Sequence, residues 1–247
     1  MAENSSPVMA GPRMDRLPMT RTHYKSFFLL AGGSFFDGFD VYLAGGVLAA
    51  MAAAGFSTVT GNAAFISFTF IGLYFGTLLA GYFGDRFGRK FAMKYSLLVY
   101  SLATIACAAA PNFDHLVVYR TIAGFGLGGV IITGYTFWVE LHRRRPAVLV
   151  QCAVLFDQSV PAGGGAVVSD CHSRVWVAFY VLDAGIPPMI IWFLQLRYMP
   201  ESPRWLEKQN RNEEAERVLR QFESGAGELA PVEADAESAR DSGKNRG

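Results

Sequence analysis

The stretch "GDRFGRK", Gly84 to Lys90, puts four charged residues and two glycines into seven positions. It lies between two apolar runs, about 62–83 and 91–110, each near the roughly 20 residues that a helix needs to cross the hydrocarbon core. Four more runs of that kind follow outward from it, at about 26–50, 117–139, 147–168 and 176–198. None alternates apolar and polar residues as a barrel strand would. Without water to satisfy the backbone, helices are the spanning solution. The expected fold is an all-α integral membrane protein with six transmembrane helices.

Composition agrees with that reading. Of the 247 residues 51% are hydrophobic and 17% charged, and the charge is confined to short clusters, unlike the even spacing on a soluble domain. A net charge of +1 without a basic stripe argues against a nucleic-acid partner. Cys107, Cys152 and Cys171 are odd in number and far apart, so neither a disulfide framework nor a metal-ligand spacing is present. No cofactor is expected, and no His, Cys or Ser constellation suggests an enzyme. His23, His115, His142 and His172 fall near the edges of the runs, where such residues are commonly interfacial.

Residues 1–25 read as a polar cytoplasmic arm lacking the apolar core of a secretory signal. Arg86, Arg89, Lys90 and Lys94 follow the second run, Arg143, Arg144 and Arg145 the fourth, and Arg197, Arg204 and Lys208 the sixth. The opposite connections hold Arg174 alone. The positive-inside rule therefore expects both termini in the cytoplasm. The bundle is expected over 26–198, then a cytoplasmic segment over 199–222 with an amphipathic helix, its apolar residues Leu206, Ala215, Val218, Leu219 and Phe222 near helical spacing. Residues 223–247, rich in Glu, Ala, Ser, Gly and Asp, are expected to be disordered.

Small residues recur on the runs: Gly72 with Gly76, the cluster Gly124, Gly126, Gly128 and Gly129, and Ala44 with Gly45 and Gly46. Membrane helices associate through close backbone approach at such residues. Among the ionisable residues inside runs, Asp37, Asp40, Arg120 and Asp157 stand out, since a charge there costs at least about 2.5 kcal/mol and needs a partner or a cavity. At 1.5 Å per residue, entry near residue 25 sets Asp37 about 18 Å deep and Asp40 about 22 Å. Arg120 enters from the other side, which brings Asp40 and Arg120 within reach in the outer half. Two readings stay open for this group. One is an ion pair that fixes helix register; the other is a carboxylate that takes up and releases a proton, or contacts substrate, as its surroundings change. Asp157, beside Gln158 and Ser159, joins it as a further candidate. Pro161 with Gly163, Gly164 and Gly165 loosens the fifth helix as a kink or a hinge.

Taken together, these features resemble the major facilitator superfamily of secondary transporters. "GDRFGRK" resembles its signature connection between helices two and three at Gly84, Asp85, Arg86, Gly88, Arg89 and Lys90. Arg120 with Gly124, Gly126 and Gly128 is similar to the family's fourth-helix pattern, and "PESPRW" (Pro200 to Trp205) to the segment after helix six in sugar porters. "FFDGFD" resembles the first helix of proton symporters for aromatic acids and other metabolites. The resemblance covers about 24–222.

It implies half of a twelve-helix fold, with Asp85 at the seam between halves, near a helix N-terminus of the other half that favours a carboxylate. It also implies a cytoplasmic network drawn from Glu140, Arg145, Glu201 and Arg204; Pro146, directly after Arg145, departs from the family pattern and puts that network in question, with a Glu140–Arg204 pair still open to it. The expected function is proton-coupled symport of a small organic solute, such as a sugar or an organic or aromatic acid, by a multi-pass protein of the cell membrane, with a bacterial inner membrane favoured. The chain reads as truncated to its N-terminal half. Its expected partners are the lipid bilayer, the solute, protons, and a second six-helix half or a parallel homodimer. A non-transporting six-helix remnant or assembly partner is the alternative.

Overall fold

The computed structural model describes residues 8–18, 20–53, 55, 57–141 and 185–224, leaving aside the side chains of 34–39, 41–43, 50 and 141. Every element among them is a helix: α1 (Ala10–Arg16), α2 (Arg21–Ala53), α3 (Val59–Phe87), α4 (Arg89–Ala108), α5 (Phe113–Leu141), α6 (Ile186–Tyr198), α7 (Pro203–Lys208) and α8 (Asn212–Glu223). Three of them, α3, α4 and α5, are long and apolar enough to cross a membrane. The first apolar run lies within α2, which outruns it at both ends, and α6 occupies the later part of the sixth. The fifth run, Asp157, Pro161 with its glycines, Arg145 and the tail from residue 225 lie outside the described residues.

The charged stretch is less of a loop than its composition suggests. α3 continues through Asp85 and Arg86 to Phe87, and α4 begins at Arg89, so Gly88 alone separates them. Gly88 has φ 109° and ψ 154°, a region that side-chain-bearing residues rarely enter. Its N–H still donates to the Gly84 carbonyl at 3.2 Å. At the other end of α3, Thr58 accepts from the Gly61 N–H at 3.0 Å, capping the first turn.

The centre of the bundle is α5, held between α3 and α4. A Cβ added to Gly72 or Gly76 on α3 would strike the carbonyls of Thr121 and Phe125 on α5; one on Gly124 or Gly128 of α5 would strike the carbonyls of Thr69 and Leu73 on α3. Toward α4, a Cβ on Gly126 would sit 2.5 Å from the Tyr100 nitrogen. Thr77 strengthens the α3–α5 contact by donating to its own Leu73 carbonyl and lying 3.3 Å from the Gly128 carbonyl. Around this seam Leu30 of α2, Met93, Leu97 and Tyr100 of α4, and Ala123, Leu127, Val130 and Phe137 of α5 form the main buried cluster.

These contacts separate two kinds of glycine. Gly76→Ala is expected to force α3 and α5 apart at a cost of about 1–3 kcal/mol, read as a lower melting temperature in detergent. Gly45→Ala, whose new methyl meets nothing within 4 Å among the described residues, is expected to leave stability unchanged or raise it by up to about 1 kcal/mol through helix propensity.

Candidate functional site

Two polar centres interrupt the apolar bundle. The first joins α2 to α5. Arg120 stands about 10 Å along α5 from its start at 1.5 Å per residue. Its Nη1 donates to Asp40 Oδ1 at 2.9 Å and its Nη2 lies 2.6 Å from Oδ2, a two-pronged ion pair. Asp40 is fully buried and Arg120 is 2% exposed. The Arg120 guanidinium carbon lies 5.5 Å from the centre of the Phe65 ring, and Phe65 packs in a buried cluster with Leu48, Cys107 and Leu116. The planar guanidinium thus meets a carboxylate along one edge and an aromatic ring on another side, an arrangement that lysine cannot reproduce. In such surroundings each charge is held by the other, because desolvation of either alone is costly.

The second centre is the GDRFGRK knot itself. Arg89, at the first position of α4, donates to Asp85 Oδ1 at 2.5 Å and through Nε to Glu140 Oε1 at 2.9 Å. It therefore ties the end of α3 to the end of α5. The Asp85 side chain is 75% exposed, whereas those of Arg89 and Glu140 are largely buried. α4 has no side-chain cap of its own. Glu201, beyond α6, supplies one: its Oε1 accepts from the Lys90 N–H at 3.0 Å and from the Ser202 N–H at 3.0 Å. A carboxylate there also faces the positive end of the α4 dipole. A Cβ at residue 88 would come within 2.5 Å of Glu201 Oε2, so glycine is required there for space as well as for φ. Trp205 of α7 donates its indole N–H to the Asp85 carbonyl at 2.9 Å, satisfying a C-terminal carbonyl that α3 cannot pair internally. Burial pushes the Glu201 carboxyl above its ordinary 4.5, against the opposing pull of the Lys90 and Ser202 amides.

The predicted residues thus divide. Asp40 meets Arg120 as the helix depths suggest, and Asp85, Gly88, Arg89, Lys90, Glu140 and Glu201 gather at the knot. Arg86 turns aside to donate to Tyr82 Oη at 3.1 Å. The Glu140–Arg204 pair does not form: Glu140 is taken by Arg89, and Arg204 instead binds Asp15 at 2.5 Å. The reason is placement, since Arg89 starts the helix packed beside α5, whereas Arg204 lies on α7, turned toward α1. Asp37 lies on α2, but its side chain, like Asp157 and Arg145, is outside the described set. The contact of Trp205 with the Asp85 carbonyl and the α1 residues Arg13 and Asp15 are additions that the sequence did not signal. No group of three or more His, Cys, Asp or Glu that could hold a metal ion occurs among the described residues.

Comparison with known proteins agrees with this architecture. The family model described as "Sugar (and other) transporter" matches residues 26–245. The chain is 33% identical over 217 residues to the inner membrane metabolite transport protein YdjE of Escherichia coli (strain K12), covering 86% of this chain and 47% of that one. It is 32% identical over 219 residues to the niacin transporter NiaP of Acinetobacter baylyi (strain ATCC 33305 / BD413 / ADP1), covering 87% and 49%. Among solved structures, the major facilitator superfamily proton:xylose symporter XylE bound to 6-bromo-6-deoxy-D-glucose superposes with a TM-score of 0.68 at 21% identity, covering 81% of this chain and 49% of that one. That likeness establishes an all-helical major facilitator fold. The chain spans about half the length of the relatives it matches. These relatives are named as transporters, not enzymes.

Removing one charge of the buried pair leaves the other uncompensated. Asp40→Asn and Arg120→Gln are each expected to cost about 3–5 kcal/mol, and the double variant less than the sum of the two, measured as a double-mutant cycle on detergent unfolding. Glu201 gives a pH signature. Its folded carboxyl titrates above 4.5, so its contribution is fully present below that pH and is lost as pH rises through the folded value. Glu201→Gln is expected to flatten this part of the stability–pH curve.

Proposed function

The chain belongs to the sugar (and other) transporter family of the major facilitator superfamily, and on that premise we propose that it works in proton-coupled symport of a small organic solute, a sugar or an organic or aromatic acid. It is a multi-pass membrane protein. In this reading it contributes six transmembrane helices, with both termini in the cytoplasm, to one wall of an alternating-access path. The other wall comes from a second six-helix half or a parallel second copy. The membrane is a bacterial inner membrane, following the name of the YdjE relative.

The observation that carries the proposal is the buried Asp40–Arg120 pair. A proton that binds Asp40 neutralises it and dissolves the ion pair, freeing the Arg120 guanidinium for a new acceptor. A carboxylate on the solute is well suited, since guanidinium binds carboxylates in two-pronged fashion. Return of the proton to water restores Asp40 as the competitor and releases the solute. When proton uptake and solute binding occur together, such an exchange couples one proton to one anion as the guanidinium passes from one carboxylate to the other. Asp37 and Asp157 are further candidates for proton or solute contact. At the cytoplasmic end, Asp85, Arg86, Arg89 and Lys90 hold the seam to the other half, with Glu140 on Arg89 and Glu201 on the Lys90 amide behind them.

The test is uptake of labelled niacin and D-xylose, the solutes named for the two relatives, by proteoliposomes holding the chain under an imposed pH gradient. Gradient-driven accumulation of either solute is expected, and Asp40→Asn is expected to reduce it by about tenfold or more while leaving gradient-independent exchange measurable. Accumulation unchanged in Asp40→Asn removes the coupling role. No gradient-driven uptake of either solute overturns the transport reading for the chain alone and favours a membrane assembly partner.

A further inference from the structure

The arm before α2 and the segment after α6 are far apart in sequence, yet they fold together. Arg13 of α1 sits between two carboxylates of α8: its Nη1 reaches Glu216 Oε2 at 2.5 Å, its Nε donates to Glu223 Oε1 at 3.0 Å and its Nη2 to Glu223 Oε2 at 2.8 Å. Asp15 accepts from Arg204 of α7 at 2.5 Å, and the Ala10 N–H donates to Glu207 of α7 at 3.1 Å. Beneath the charges, Ala10 and Met14 are buried, and Met14 packs in one cluster with Leu219 and Phe222 of α8 and Trp138 of α5. The first turn of α2 joins in. Thr22 donates to the Gln221 carbonyl at 3.0 Å, and the buried His23 ring meets Phe222 edge-on at 4.8 Å. Arg13 holds the Glu216 carboxyl below its ordinary range, so this contact is fully charged at neutral pH.

None of these helices has the length to persist alone. α1 has 7 residues, α7 has 6 and α8 has 12, whereas isolated helices shorter than about 12–15 residues are marginal in water. Each therefore depends on docking to its neighbours. α7 is also the element that reaches the knot, through Trp205 to the Asp85 carbonyl, and it follows directly on Glu201, which caps α4.

We infer that α1 is a clasp: by seating Arg13 between Glu216 and Glu223 and Asp15 on Arg204, it holds α7 and α8 against the GDRFGRK knot. Release of α1 loosens the contacts that Glu201 and Trp205 make there. The polar arm is then a conformational control on the knot, acting from outside the membrane-spanning bundle and requiring no solute. The inference stands apart from the transport proposal, since it concerns how firmly the cytoplasmic face is held.

Amide hydrogen exchange on the whole chain in lipid nanodiscs tests it. In Arg13→Glu, three carboxylates face one another where one guanidinium joined two, and amides of α8 are expected to exchange about tenfold faster. The decisive readout is remote: the Lys90 and Trp205 amides are expected to lose protection as well, with α3 and α5 interiors unchanged. Asp15→Arg is expected to act in the same direction, and the charge-swapped pair Asp15→Arg with Arg204→Asp to restore protection. Faster exchange in α8 with Lys90 unchanged overturns the inference, because α1 is then a local contact. So does exchange in α8 that Arg13→Glu leaves unaltered, or a swapped pair that remains as exposed as Asp15→Arg.

Discussion

Close approach of the α5 backbone to α3 and α4 is the constraint on which the rest depends. Lipid tails compete with apolar side chains on equal terms, so burial of leucine and phenylalanine gives little preference for helix over lipid. What distinguishes a helix neighbour is contact that a lipid cannot make, backbone against backbone at a distance that only glycine permits. The facing positions Gly72 and Gly76 on α3 and Gly124 and Gly128 on α5 form such a contact on one side, and Gly126 against the α4 backbone at Tyr100 forms it on the other. The many exposed aromatic and aliphatic residues along α3, among them Phe70, Tyr74, Phe75 and Tyr82, contribute nothing to this seam and face outward.

The two charged centres obey opposite rules because their surroundings differ. Asp40 and Arg120 are both buried, with the Phe65 ring beside the guanidinium, so they act as a unit and neither is tolerated without the other. Arg89 stands at a boundary, with Glu140 mostly buried on one side and Asp85 mostly exposed on the other. The half that faces solvent is screened and contributes little; the half that faces Glu140 fixes where α5 ends relative to α4. Glu201 adds a cap from a distant part of the chain, and the absence of a side chain at Gly88 leaves room for it.

Much of this was legible in the sequence, and the limits are physical. Long apolar runs locate helices because the membrane permits few alternatives, and counting residues along α2 and α5 from opposite sides brought Asp40 to the level of Arg120. The break at Gly88 was visible as a glycine, but not as the only interruption between two helices. A Glu140–Arg204 pair was left open by the sequence, although antiparallel neighbours joined by a short connection already place the start of α4 and the end of α5 at one end of the bundle, where Arg89 meets Glu140. The role of the arm was not legible. Helix α1 has only Ala10 and Met14 buried, too few for a periodic signal, and its ion pairs span about two hundred positions of sequence. His23 reads as interfacial by position, yet the fold buries it against Phe222.

Arg120 and Glu140 lie on the same helix, about 30 Å apart at 1.5 Å per residue. The glycine seams make α3, α4 and α5 one body between them, so the distance from the buried pair to the knot is not one that α5 can shorten by bending. Relative motion falls instead to elements held by side chains. α2 meets α6 through Gln195, which donates to the Leu29 carbonyl at 3.1 Å, and through the Ile191 side chain above Gly32; its first turn meets α8 at Thr22 and His23. α2 is thus joined to the knot by a run of contacts, first to α8, then to α7, and from Trp205 to the Asp85 carbonyl. These side-chain contacts link the two charged centres around the glycine-packed helices, along α2, α8 and α7.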